Sequence, residues 1–246
     1  MLKRTILVTR PQPDAQRTAA GLAALGLDPI IVPMLEARFL KPALPSADGF
    51  AALVVTSANA IRALAAHPDG ERFAHLPVYA VGDQTAVEAR NAGFAAVTAS
   101  EGTLHHLAET VIAARPTGPI FYAAPHHQSG DLSGLLAPHG IDVETIILYE
   151  MQAATALPVP LATRLRQGDI DGAVFYSRRT AKTFAALLDN PDFDPVRRKL
   201  SCLCLSENIA EPLIENHFVR IGLADYPSNA AMMVLALAFA RDQISS

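Results

Sequence analysis

Six short segments carry the residues that could do chemistry: Thr9-Arg10-Pro11, Thr56-Ser57-Ala58-Asn59, Gly82-Asp83-Gln84-Thr85, Tyr176-Ser177-Arg178-Arg179-Thr180, Ser206-Glu207-Asn208 and Pro227-Ser228-Asn229. Each is a small-hydroxyl or amide turn that leads from an apolar run into a helical stretch. Taken singly, such residues suit N-capping, in which a Ser, Thr, Asn or Asp side chain accepts a free backbone N–H. Taken together, three in each half, they suit a second use. Helix N-termini offer unpaired N–H groups and partial positive charge, a fit for carboxylates or phosphates. Arg178 and Arg179 sharpen the point. A cation in a helix's first turn is disfavoured by about 0.3–1 kcal/mol, and a bound anion offsets that cost; plain solvent exposure is the alternative.

Absent motifs narrow the chemistry. No G-x-G-x-x-G or G-x-x-x-x-G-K-[ST] occurs, which argues against dinucleotide and P-loop sites, and there is no G-x-S-x-G elbow. His105-His106 and His126-His127 are adjacent pairs; neighbours do not share a helix face, so they read as surface or helix-end residues. Cys202 and Cys204 alternate in an apolar run and read as buried reduced thiols. No spacing suggests zinc. Chemistry without metal or cofactor is expected.

The elements that must hold these turns follow a regular pattern of apolar run, polar turn and amphipathic helix. Expected strands are Thr5–Thr9, Ile30–Val32, Phe50–Val55, Val78–Val81, Ala95–Thr98, Ile120–Ala123, Val143–Tyr149, Gly172–Tyr176, Ser201–Leu205 and Val219–Ile221. Asp14 can cap a helix that Gly26 ends, with further helices near Ala58–Ala66, Thr85–Ala92 and Thr103–Ala113. Alternation of this kind implies parallel sheets with helices on both faces, and ligands outside the strands' carboxyl ends.

The chain also repeats. Ile6-Leu7-Val8-Thr9-Arg10-Pro11 returns as Ile120-Phe121-Tyr122-Ala123-Ala124-Pro125, an offset of 114. Ala52–Ser57 returns as Gly172–Ser177 at offset 120, and Val81–Ala86 as Leu205–Ala210 at offset 124. A period near half the chain is too long for a solenoid. It describes two similar α/β lobes, and two facing lobes make a cleft where a ligand is expected.

Composition sets the bounds. Half of the 246 residues are hydrophobic and 18% are charged, so a large core can form. A net charge of −4 provides no basic field for nucleic acid. The apolar part of Met1 to Val8 is too short for a signal peptide, and no run approaches a membrane span. A cytoplasmic protein is expected.

These features resemble the uroporphyrinogen-III synthase family over essentially the whole chain. The resemblance rests on Val8-Thr9-Arg10-Pro11, Val54-Val55-Thr56-Ser57-Ala58-Asn59-Ala60, Ala80-Val81-Gly82-Asp83-Gln84-Thr85-Ala86, Ser129-Gly130-Asp131-Leu132 and Ala224-Asp225-Tyr226-Pro227-Ser228, in that order and spacing. Two turns depart from the family. Ser206-Glu207-Asn208-Ile209 lacks a hydroxyl at Ile209, leaving Ser206 or Asn208 to serve. Ala124-Pro125-His126-His127-Gln128 lacks an arginine.

The resemblance implies a discontinuous first lobe, 1–36 with 152–246, and a second lobe, 37–151. Antiparallel connectors would lie near Pro33–Arg38 and Ile147–Ala153. It implies cyclisation of hydroxymethylbilane with loss of water and inversion of the last pyrrole ring, in tetrapyrrole biosynthesis and without a cofactor. Substrate contacts are then expected from Thr9, Arg10, Thr56, Ser57, Asn59, Gly82, Thr85, Ser177, Arg178, Arg179, Ser206, Asn208, Pro227 and Ser228. Tyr149, ending the Ile146-Ile147-Leu148 strand, is the expected general acid. A monomer is expected, with the preceding pathway enzyme a candidate partner and neither nucleic acid nor membrane involved. The alternatives are a two-lobed binding protein for a polyanionic small molecule, without chemistry, and a different cofactor-free α/β enzyme.

Overall fold

A computed structural model describes residues 3–241. The strands, in chain order, are β1 (Thr5–Val8), β2 (Asp28–Ile31), β3 (Leu35–Phe39), β4 (Ala52–Val55), β5 (Val78–Val81), β6 (Val97–Ser100), β7 (Ile120–Pro125), β8 (Val143–Ala153), β9 (Gly172–Phe175), β10 (Ser201–Cys204) and β11 (Arg220–Leu223). The helices are α1 (Asp14–Ala24), α2 (Ala58–Ala65), α3 (Gly82–Asn91), α4 (Leu104–Ala114), α5 (Leu132–Leu136), α6 (Val159–Gln167), α7 (Arg178–Leu187), α8 (Asp194–Lys199), α9 (Glu207–Glu215) and α10 (Asn229–Arg241). The chain divides into two compact units, Met1–Glu36 with Gln152–Ser246 (unit 1) and Ala37–Met151 (unit 2).

Unit 1 is built on a parallel sheet of order β11-β10-β9-β1-β2. Its inner strands are apolar throughout because helices cover both faces. Leu7, Ala173, Phe175, Cys202 and Cys204 face α6, α7 and α9. Ile6, Val8, Val174 and Leu203 face α1 and α10. Both cysteines are free and buried.

Unit 2 has the order β3-β8-β7-β4-β5-β6. Leu53, Val55, Phe121 and Ala123 face α2 and α3, with Phe73 stacked on Phe121 at a centroid distance of 4.7 Å. Ala52, Val54, Ile120 and Tyr122 face α4 and α5. With the offsets of the sequence repeat, β7 and β8 match β1 and β2, and β4, β5 and β6 match β9, β10 and β11. Written in matched strands, both sheets have one spatial order, but in unit 2 the chain enters at a different strand.

Several boundaries differ from the sequence reading, for local reasons. The expected strand to Tyr149 and the connector to Ala153 are one strand, β8. Its later part is held by β3, through Leu40 N–H to the Leu148 carbonyl and Ala154 N–H to the Met34 carbonyl, partners that run in opposite directions. Helix α3 starts at Gly82 instead of Thr85. Gly82 takes φ +74°, which turns the chain from β5 straight into the helix. Asp14 is the first residue of α1 and not its cap, whereas Gly26 follows the helix at φ +85° as expected.

Candidate functional site

In each sheet one pair of neighbouring strands sends its chain to opposite faces. In unit 1, β1 leads to α1 on one face and β9 to α7 on the other. In unit 2, β7 leads to α5 and β4 to α2 in the same divergent way. Such switch points open a crevice at the carboxyl ends, the usual ligand position in this architecture. The turns after β1, β4 and β9 are among the six singled out in the sequence.

At the unit 2 switch point, hydroxyls gather. Thr56 Oγ1 lies 3.3 Å from the Tyr122 hydroxyl. Ser57 caps α2 by accepting the Asn59 N–H at 3.2 Å, and its side chain lies close enough to the Tyr149 hydroxyl to favour that phenol's ionised form. Burial pushes both phenols above their ordinary value of 10.0, against the smaller opposite pull of these hydroxyls. They are therefore proton donors at neutral pH, not bases. Tyr149 is 3% exposed, so at most its hydroxyl tip can reach a ligand. Asn59 is engaged: its carbonyl accepts from Arg62 at 2.9 Å and its amide reaches the Met151 sulfur at 3.5 Å. Arg62 also pairs through two bonds with Glu88.

At the unit 1 switch point, cations gather instead. The Arg10 guanidinium lies 4.1 Å from the Tyr176 ring centroid and bonds to Asp14 at 3.0 Å and Thr18 at 3.2 Å. Tyr176 donates to Asn229 Oδ1 at 2.9 Å. Burial raises its phenol, with Arg10 and Thr18 partly offsetting. Ser177 caps α7 by accepting the Thr180 N–H at 3.2 Å. Arg178 reaches across to the start of α9, bonding the carbonyl and side chain of Asn208 at 3.0 Å each and pairing with Glu211. Arg179 is exposed on the first turn of α7. Ser228 accepts the Ala231 N–H at 3.2 Å, and Pro227 is exposed beside it.

Two of the residues expected to touch substrate are buried. Thr9 is 0% exposed and its hydroxyl donates to the Val174 carbonyl at 2.6 Å, so it ties β1 to β9 and has no proton to offer a substrate. Thr85 lies one turn inside α3 and is buried, because the helix begins three residues earlier than its turn suggested. The open features there are the first N–H groups of α3, which no side chain caps at Val81. The same holds at Ser206, whose side chain makes no cap bond to α9. Ile209 sits in the core.

Sequence reasoning missed Tyr122 and Thr18, and it placed Asn229 in a turn without a partner. Tyr122 alone had a signal: a tyrosine inside a buried strand needs a partner for its hydroxyl. Among the described residues no group of three or more His, Cys, Asp or Glu side chains could hold a metal. What the arrangement can do is donate protons from neutral hydroxyls and grip anions with helix starts and guanidinia.

The fold is shared with solved structures. Uroporphyrinogen-III synthetase from Helicobacter pylori 26695 superposes with a TM-score of 0.65 at 18% identity, covering 97% of this chain and 100% of that one. A mutant uroporphyrinogen III synthase from the extremely thermophilic bacterium Thermus thermophilus gives 0.51 at 16%, covering 98% and 99%. No curated protein matches the chain by sequence. Among the described residues no helix is long and apolar enough to cross a membrane. Residues 16–233 match the family described as uroporphyrinogen-III synthase HemD. A match over so much of the chain decides the matter: this protein belongs to the uroporphyrinogen-III synthase family, enzymes that cyclise a tetrapyrrole precursor.

Proposed function

We propose that the chain closes hydroxymethylbilane to uroporphyrinogen III with the unit 2 hydroxyl cluster assisting loss of water. The observation that carries this reading is the pairing of two buried, raised-pKa phenols with Ser57 and Thr56 at one switch point. The first pyrrole ring must shed hydroxide, and a hydroxyl donor makes it leave as water. Tyr149, through its tip beside Ser57, supplies the proton. The resulting azafulvene is attacked by the last ring through its substituted carbon, and the spiro intermediate fragments and recloses with that ring inverted. Closure without direction gives the uninverted isomer, so most of the task is positioning.

The substrate's many carboxylates suit the uncapped starts of α3 and α9, the first turn of α7 with Arg178 and Arg179, and the Pro227-Ser228 turn. Ser57, Ser177, Asn59, Asn208, Ser206 and Arg10 hold these turns in shape or add a donor. The protein acts as a cytoplasmic monomer that receives its substrate from the preceding enzyme, and sedimentation velocity at working concentration checks the monomer.

Chromatography of the oxidised products after incubation with hydroxymethylbilane, without metal or cofactor, should show the type III isomer. Only type I would overturn the reading.

A further inference from the structure

We infer that unit 1 has a second binding site, for a small polyanion, at the amino ends of its strands. A cavity of about 560 Å³ opens among the residues leading into β1, β9, β10 and β11. Arg4, Arg166, Lys199 and Arg220 line it, and among the described residues the only acid lining it is Asp171, whose carboxylate already accepts the Thr5 N–H at 2.7 Å. The whole chain carries a net charge of −4. The field in this cavity thus has the opposite sign to that of the protein, and packing four cations together costs repulsion that an anion would relieve.

A bland account is available for part of the cluster. Helices α6, α8 and α10 end here, and cations complement helix C-termini. Arg4 bonds the Phe239 carbonyl and lies 4.5 Å from its ring, and Arg166 lies 4.4 Å from the Phe193 ring. Lys199 and Arg220 are exposed and have no ion pair among the described residues. The repeat shows whether the sheet itself needs these charges. At the matching offsets, unit 2 has Gly118 for Arg4, Ala51 for Asp171, Ala96 for Arg220 and His75 for Lys199. A sheet of the same strand order forms without them. The sheet therefore does not need the cluster, but helices α6 and α8 are also peculiar to unit 1, and their C-termini account for Arg166 and Lys199; Arg220, at the start of β11, is the charge that no helix end explains, and a bound anion would explain it.

That chemistry defines the ligand class. Three guanidinia present flat forks suited to two-point contact with phosphate or carboxylate. The volume is in the range of small-molecule sites, roughly 300–1,000 Å³, and Phe239 provides an apolar wall. The ligand is a compact molecule bearing at least two phosphate or carboxylate groups. It lies at the opposite end of the strands from the substrate turns, about 13 Å away along a four-residue strand, so occupancy is compatible with turnover.

Isothermal titration of the full-length protein with inorganic pyrophosphate and with citrate, in about 0.15 M chloride, tests this. One-to-one saturable binding is expected, and the tighter probe identifies the preferred group. The double variant Lys199→Ala, Arg220→Ala should weaken it roughly tenfold or more, the loss expected for charge-assisted bonds, while Arg220→Lys alone retains most of it. Cyclisation by the double variant should stay within about twofold of wild type, because neither side chain touches the substrate turns. Arg178→Ala, at the other end of the sheet, should leave probe affinity unchanged. Heat no different from matched chloride, affinity unchanged in the double variant, or affinity lost in Arg178→Ala would each overturn the site.

Discussion

The two units have one strand order and end their strands in different chemistries. Where β9 gives way to α7, Ser177 caps the helix and Arg178 follows; at the matching place after β4, Ser57 caps α2 and Ala58 follows. The capping serine is common to both, since any helix leaving a strand there must satisfy its first N–H groups. What differs is the company. Unit 1 surrounds its switch point with Arg10, Arg178 and Arg179, whereas unit 2 presents Thr56, Ser57, Tyr122 and Tyr149. A duplicated frame thus holds one edge suited to gripping anions and another suited to giving a proton.

Substitutions can separate those two jobs. The largest effect is expected from Tyr149→Phe, which should lower kcat by tenfold or more, the weak edge of the usual ~10²–10⁴ for acid–base groups, with an unchanged circular dichroism spectrum. Tyr176→Phe, in unit 1, should leave kcat within about twofold. Equal losses in both would erase the distinction between the edges. Next comes Arg178→Ala, for which steady-state kinetics should show KM raised roughly tenfold, the scale of a lost charge-assisted contact, and kcat little changed. A loss confined to kcat would move Arg178 from binding to chemistry.

Smaller effects probe what the units share. Ser57→Ala and Ser177→Ala should each cost about 1 kcal/mol of stability in urea unfolding, the ordinary cost of a lost cap, but only Ser57→Ala should also slow turnover, because it removes the partner of Tyr149. The mildest prediction concerns pH. Tyr122, Tyr149 and Tyr176 are raised above 10.0, and Cys202 and Cys204 above 9.0, Cys204 to about 12. Folding therefore favours their neutral forms. The stability they contribute is full below about pH 9 and is lost as pH rises through the folded values. The urea midpoint should fall between pH 9 and 11; a flat profile would contradict the burial of these groups.

Much of this molecule was legible in the residues, and the failures have physical causes. The apolar runs located every strand except β3, which alternates apolar and polar residues, because strands buried on both faces show as continuous hydrophobic stretches. Boundaries slipped where tertiary pairing or a backbone turn decided them: β3 draws β8 out to Ala153, and the positive φ of Gly82 advances α3. For the candidate site, the turns were readable but the bonds across the sheet were not. Nothing local shows that Thr9 will be spent on Val174, or that β7 beside β4 brings Tyr122 to Thr56. Those contacts depend on strand order, which the repeat implied only as equivalence between halves.

The insertion of unit 2 within unit 1 has a consequence for synthesis. Strand β1 has one parallel neighbour, β2, close behind it in the chain and the other, β9, more than 160 residues later. At ribosomal rates of about 5–20 residues per second, β1 waits on the order of ten seconds or more for that partner. Its four residues are all buried in the finished fold, and the edge that β9 will cover stays open to wrong partners for that interval. Unit 2 is continuous, and all its strands are available as soon as residue 151 emerges. Folding during translation should therefore start in the middle of the chain and finish with the first strand made.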